Sequence, residues 1–121
     1  RTHTSMHTSI ISQEMAYTAT QVSKEYLKNE LKIWEERRDL ICDLLGKLNL
    51  EFSKPEGAFY VLVKVENPEK MVWDLYEKYK VITYLGDWFG APGTIRLSYA
   101  LDKEKIVEGI ERIEKYLKEK I

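Results

Sequence analysis

The segment Ala58-Phe59-Tyr60-Val61-Leu62-Val63-Lys64-Val65 constrains the fold of this chain more than any other. Only Lys64 interrupts its apolar and aromatic character, and the run is too short for an amphipathic helix. It has the pattern of a strand buried on both faces. Lys54-Pro55-Glu56-Gly57 precedes it, with proline and glycine placed for a tight reversal. Asn67-Pro68-Glu69 follows it and carries the marks of a helix start: asparagine as N-cap, proline at the first helical position, an acid in the first turn.

Helical periodicity surrounds this strand. Ile10, Ile11, Met15 and Ala19 form a stripe from Ser9 to about Thr20, with Ser9 or Thr8 as N-cap. A longer helix is predicted from about Lys24 to Lys47, where Leu27, Leu31, Trp34, Ile41, Leu45 and Leu48 recur at steps of three and four. Arg38 fills the gap in that stripe, its stem along the core and its head in water. Met71, Val72, Leu75 and Tyr79 line the Pro68 helix, and Ile106, Val107, Ile110, Ile113 and Leu117 line a last helix behind Asp102. Trp34 and Trp73 fall in helical patterns and are expected in the core. Leu50-Glu51-Phe52, Val81-Ile82-Thr83-Tyr84 and Thr94 to Ser98 are the remaining strand candidates.

The order helix, helix, strand, strand, helix, strand, strand, helix describes an α+β domain. The expected architecture is a small, mostly antiparallel sheet of three or four strands packed on one side against three or four helices. The stretch from Val61 through the Pro68 helix to Val81 allows one parallel or split crossover. No repeat or low-complexity linker is present. Residues 1–23 form a helix and connector, and residues 24–121 a single structural unit.

Composition narrows the function. The chain has 121 residues, 44% hydrophobic and 32% charged, the balance of a soluble globular protein. A net charge of -1 gives no electrostatic footprint for nucleic acid or an anionic membrane. No apolar run approaches the roughly 20 residues that span a bilayer. Cys42 is the only cysteine, which excludes an internal disulfide and fits a reducing, cytoplasmic setting. Metal and nucleophile motifs are lacking: His3 and His7 stand four apart with no further ligand pattern, and Cys42 reads as a buried, inert thiol. Gly86, Gly90 and Gly93 are too loosely spaced for a phosphate loop.

One residue stands apart. In Gly93-Thr94-Ile95-Arg96-Leu97-Ser98-Tyr99-Ala100, period two puts Ile95, Leu97 and Tyr99 on one face and Thr94, Arg96 and Ser98 on the other. A guanidinium fixed on a short strand behind a glycine-rich loop can hold a carboxylate through two parallel hydrogen bonds. The plainer reading is a strand arginine paired with an acidic neighbour. In the preceding loop, Trp88 and Phe89 either line a pocket or cap the sheet.

Taken together, Lys54-Pro55-Glu56-Gly57-Ala58-Phe59-Tyr60 and Gly86-Asp87-Trp88-Phe89-Gly90 followed by Gly93 to Ala100 resemble the C-terminal part of class I/II aminotransferases. These are fold-type I, pyridoxal 5′-phosphate-dependent enzymes, the group of aspartate aminotransferase. The opening Thr2-His3-Thr4-Ser5 through Gln13 is similar to the segment after the family's cofactor lysine. The resemblance covers essentially the whole chain. It departs from the family at Leu85, where proline is common, and at Asp87-Trp88, where small residues are usual.

The resemblance implies that Arg96 binds the substrate α-carboxylate, with Trp88 and Phe89 at the pocket. It also implies a transfer of an amino group between an amino acid and a 2-oxo acid, in a homodimer. The cofactor lysine, the aspartate on the pyridine nitrogen and the phosphate cradle would lie in a large domain, to which residues 1–23 connect. Lys24, Lys28, Lys32 and Lys47 lack the family's surrounding motif, so this chain alone is expected to bind no cofactor and to be inactive. Two alternatives remain at this point: a lyase or synthase of the same superfamily, and a free-standing, non-catalytic interaction module.

Overall fold

The computed structural model describes residues 7–119. The chain divides into two compact units, Arg1–Lys32 and Ile33–Ile121, and the division falls within the long helix α2 (Lys24–Lys47). No helix among the described residues is long and apolar enough to cross a membrane.

In the first unit, α1 spans Ile10–Thr20 as its stripe requires. Ser9 caps it: its side-chain oxygen accepts from the Ser12 N–H at 3.2 Å. No residue of α1 is buried, and Ile10, Ile11 and Met15 stand exposed. Ser23 accepts from the Tyr26 N–H at 3.2 Å and so starts α2. The segment Thr2 to Ser5, singled out for its resemblance, and His3 lie outside the described residues.

The second unit contains the sheet. Strands β1 (Phe52–Ser53), β2 (Tyr60–Lys64), β3 (Tyr84–Leu85) and β4 (Thr94–Ser98) pair in the order β1-β2-β4-β3, every neighbouring pair antiparallel. Because β2 and β3 both run against β4, they are parallel to each other. Helix α3 (Pro68–Tyr79) is their crossover, with β4 inserted between them. This is the split crossover that the sequence allowed.

Helices α2, α3 and α4 (Lys103–Lys118) supply one wall of the core through Ile41, Leu45, Met71, Leu75, Ile106, Ile110, Ile113 and Tyr116. Val61, Val63, Ile95, Leu97 and Tyr99 supply the other from alternate strand positions. Each such aliphatic side chain contributes about 1.5–3 kcal/mol when fully buried.

Several expectations are corrected. Strand β2 is buried on one face only: Val61 and Val63 are inside, while Tyr60 and Lys64 are exposed and Leu62 is half-buried. Within the unit the core lies on the side of Val61 and Val63, which leaves the opposite face of the sheet open. Strand β3 begins at Tyr84, not Val81, because the Val81 N–H donates to the Leu75 carbonyl at 2.9 Å and is used in ending α3. Lys80, with φ 56°, makes that turn. Strand β1 is likewise displaced, to Phe52–Ser53.

Trp73 is 57% exposed, not in the core, and packs edge-to-face on Tyr76. It lies two residues past Met71, which turns it to the opposite side of α3. Asp102 occupies the N-cap position of α4 without capping it; its carboxylate accepts from Arg37 Nη2 at 2.9 Å instead. Asn67 does cap α3, accepting from the Lys70 N–H at 3.3 Å. Cys42 is half-buried, and burial pushes its thiol pKa up, which disfavours the thiolate.

Candidate functional site

Arg96 sits near the middle of the open face, on the strand with a neighbour at each edge. Leu62 of β2 is opposite it on one side and Tyr84 of β3 on the other. Its alternate neighbours Ile95 and Leu97 are buried on the helix side, so packing fixes the direction in which Arg96 points.

Aromatic rings surround the guanidinium. Its central carbon lies 3.5 Å from the Phe89 ring centroid, 5.0 Å from that of Tyr60 and 5.2 Å from that of Tyr84. Each ring attracts the cation by about 0.5–1 kcal/mol at sites of this exposure. Rings contact a guanidinium through its π face and leave its N–H edges available to an acceptor in the plane.

The other described arginines all reach a carboxylate. Arg37 bonds Asp102 at 2.9 Å, Arg38 bonds Asp39 at 2.7 Å, and Arg112 bonds Glu108. Among the described residues no carboxylate lies within ion-pair distance of Arg96. The plainer reading, a strand arginine paired with an acid, is therefore overturned.

The loop that brings Phe89 onto the guanidinium is held by backbone geometry. Residues Gly86–Phe89 form a 3₁₀ turn, closed by the Gly90 N–H on the Asp87 carbonyl at 3.2 Å and the Ala91 N–H on the Gly86 carbonyl at 3.0 Å. Gly90 closes the turn at φ 74°. Gly86 is buried against β4, where a Cβ would stand 1.9 Å from Thr94 Oγ1 and 2.4 Å from the Ala91 carbonyl oxygen. The Thr94 hydroxyl donates to that same carbonyl at 2.7 Å and ties the loop to the strand.

Phe89 thus contacts Arg96 directly. Trp88, 65% exposed, reaches the cluster through Tyr84, with ring centroids 6.4 Å apart. Tyr60 and Tyr84 join the cluster beside the residues expected from the sequence. The signal for Tyr60 was available, since alternation with the buried Val61 and Val63 sends it to the open face. Tyr84 required the pairing register, which no local pattern encodes.

The groups around Arg96 do not fit a pyridoxal phosphate site. Lys64 shares the open face by alternation, but its ammonium is held by Glu51 at 3.1 Å, and Tyr60, Leu62, Tyr84 and Phe89 offer no amine for an imine. No group of three His, Cys, Asp or Glu among the described residues could hold a metal. A cleft of about 390 Å³ lies on the helix side between Val81-Ile82 and α4. Of its three cations, Lys105 and Arg112 are both taken by Glu108, and the Lys80 ammonium donates to the Glu77 carbonyl at 2.7 Å. What the open face fits is an anion with in-plane acceptor oxygens.

Comparison with known proteins gives the family. Residues 1–113 match the family model for aminotransferase class I and II. A probable aspartate/prephenate aminotransferase of Aquifex aeolicus is 42% identical over 105 residues, covering 80% of this chain and 27% of that protein. The aspartate aminotransferase of Thermotoga maritima is 33% identical over 118 residues, 97% of this chain and 30% of the relative. The crystal structure of an aspartate aminotransferase from the same organism superposes with a TM-score of 0.87 over 96% of this chain and 30% of that one, at 33% identity. An aromatic aminotransferase structure from Pyrococcus horikoshii gives a TM-score of 0.74 at 31% identity over 79% of this chain and 27% of that one. The chain thus spans less than a third of the relatives it matches. It belongs to the class I and II aminotransferases.

Proposed function

We propose that this chain acts as the small domain of a pyridoxal 5′-phosphate-dependent aminotransferase, residues 24–121 forming the domain and residues 1–23 leading to a large domain. The enzyme exchanges an amino group between an amino acid and a 2-oxo acid, as a homodimer in the cytoplasm. Arg96 binds the substrate α-carboxylate. The observation that carries this reading is the guanidinium of Arg96, lodged among three rings on an open sheet face with no ion-paired carboxylate among the described residues.

The chemistry assigned to this chain is orientation. Two parallel N–H···O bonds from Arg96 fix both the position and the plane of the carboxylate, and so the direction of the bond to Cα. A substrate held at two oxygens has lost most of its rotational freedom before reaction, which is the main contribution a positioning group makes to rate. Phe89, Tyr60 and Tyr84 keep water from the guanidinium and strengthen the pair. Trp88 and Phe89 line the approach for the substrate side chain. Pyridoxal phosphate, when bound, supplies the electron sink for loss of the Cα proton. Its lysine and phosphate cradle are assigned to the large domain.

The ligand of one relative is in keeping with a carboxylate-bearing substrate. One aspartate aminotransferase structure from Thermus thermophilus is described with maleate, a dicarboxylate, and superposes with a TM-score of 0.74 at 31% identity. Every relative named here is an aminotransferase, so neither a lyase nor a non-catalytic module is favoured.

The test is Arg96→Lys in the full-length enzyme. Losing one bond of a charged bidentate pair costs about 1.5–3 kcal/mol, so KM for the amino acid should rise about 10- to 100-fold. The cofactor's visible absorbance should be unchanged. Kinetics equal to the parent's would remove Arg96 from the site.

A further inference from the structure

Ala58 carries a backbone conformation that its side chain disfavours. Its φ is 61°, in the left-handed region, although Gly57 stands next to it. Three bonds from the end of β4 hold the segment there. The Tyr99 hydroxyl donates to the Ala58 carbonyl at 3.1 Å. The Tyr99 N–H donates to the Phe59 carbonyl at 2.9 Å, and the Ser98 hydroxyl donates to the same oxygen at 3.4 Å. Tyr99 is 1% exposed, so its ring is fixed by the core and its hydroxyl is delivered to one place.

The held segment leads directly to the site. Phe59 packs edge-to-face on Tyr60 with centroids 5.4 Å apart, and its ring centroid lies 6.1 Å from that of Trp34 of α2. The Tyr60 ring is in turn 5.0 Å from the Arg96 guanidinium.

From this we infer that Tyr99 is a positioning residue: its buried hydroxyl holds Ala58 in the left-handed conformation and thereby sets Phe59 against Tyr60, and Tyr60 against Arg96. Tyr99 touches no substrate and acts through the backbone of residues 58–60. The inference rests on Arg96 as the carboxylate site and adds a residue from the opposite face of the sheet to it. The hydrogen bond and the conformation it enforces are coupled. Without the bond, Ala58 relaxes towards a negative φ and the aromatic pair shifts. With glycine at position 58 the left-handed state carries no Cβ penalty, and the bond matters less.

The experiment is a double-mutant cycle in the full-length enzyme with L-aspartate and L-phenylalanine as donors and 2-oxoglutarate as acceptor. Tyr99→Phe removes one oxygen from a buried ring and keeps the packing. It should raise KM for the preferred donor about three- to tenfold with kcat within twofold of the parent. In an Ala58→Gly background, the same substitution should change KM by less than twofold. A merely structural hydroxyl would lower the melting temperature and leave this KM pattern unmoved. An unchanged KM in Tyr99→Phe, or an equal rise in both backgrounds, overturns the inference. Arg96→Lys run in parallel separates the two readings: if it leaves KM unchanged, the carboxylate site itself has failed. If it raises KM while Tyr99→Phe does not, only the positioning role has failed.

Discussion

Gly86→Ala is the most severe small change the site can receive. A methyl group there would lie 1.9 Å from Thr94 Oγ1, 2.4 Å from the Ala91 carbonyl oxygen and 2.9 Å from the Thr94 carbonyl oxygen. Ordinary contact begins near 3.4 Å, so the turn must retreat from β4 by on the order of 1 Å. Two of the three obstructing atoms are backbone, and no change of rotamer clears them. Overpacking of this kind costs about 1–3 kcal/mol, and displacement also breaks the Thr94 to Ala91 hydrogen bond, which contributes about 1 kcal/mol. A loss of roughly 2–4 kcal/mol in urea unfolding follows from these contributions.

The same retreat lifts Phe89 from the guanidinium, whose centroid distance is 3.5 Å in the intact turn. Misplacing a positioning group by 1 Å costs up to about 100-fold in rate, so kcat/KM should fall by one to two orders of magnitude. Thr94→Ala in the same chain removes the nearest obstruction and leaves the backbone ones, so it should recover part of the activity and not all. Gly86→Ala with unaltered urea midpoint and kcat/KM would refute the claim that this turn sets the site.

Two further substitutions test the domain away from Arg96. The Thr83 hydroxyl is buried with no hydrogen-bond partner among the described residues, so Thr83→Val should raise stability in urea by about 1 kcal/mol; a loss of stability would mean the hydroxyl is satisfied in solution. Asp74 is held between Lys70 at 2.5 Å and Lys78 at 2.7 Å, whose hydrogen bonds lower its carboxyl pKa to about 2 from 3.8. A depressed folded-state pKa stabilises above the unfolded value, and that contribution is lost as pH falls from about 4 to about 2. Asp74→Asn should therefore flatten the urea midpoint against pH across that window, and an unchanged slope would count against the pairing.

The helices were legible in the sequence because their information is local. Asn67, Pro68 and Glu69 announce α3 without reference to anything distant, and the stripe through Ile41 and Leu45 fixes which side of α2 meets the core. Strand limits were less so, since a strand ends where its partner does. Val81 has a strand former's side chain, yet its N–H is used on Leu75, and nothing in the segment Val81 to Tyr84 signals that competition. The pairing of Tyr84 with Arg96 is invisible for the same reason. A register is a relation between two segments, and each segment alone is compatible with several.

The misreading of β2 has a different origin. Tyr60 and Phe59 add to the apolar run that suggests burial on both faces, yet Tyr60 is 39% exposed and Phe59 49%. Trp88, at 65%, belongs with them. Folding of the second unit does not bury these rings, so core formation alone does not account for them. Tyr60 lies against the one described arginine without an ion-paired carboxylate, with Phe59 packed on Tyr60 and Trp88 on Tyr84 beside it. An apolar residue is kept at an exposed position of a sheet when something else is to be covered there. On the proposed function that something is the Arg96 guanidinium, which would gain from dry surroundings when an anion arrives to use them. On that reading the exposed aromatic character of β2 and the charge on β4 belong to one site, and only the pairing register brings them together.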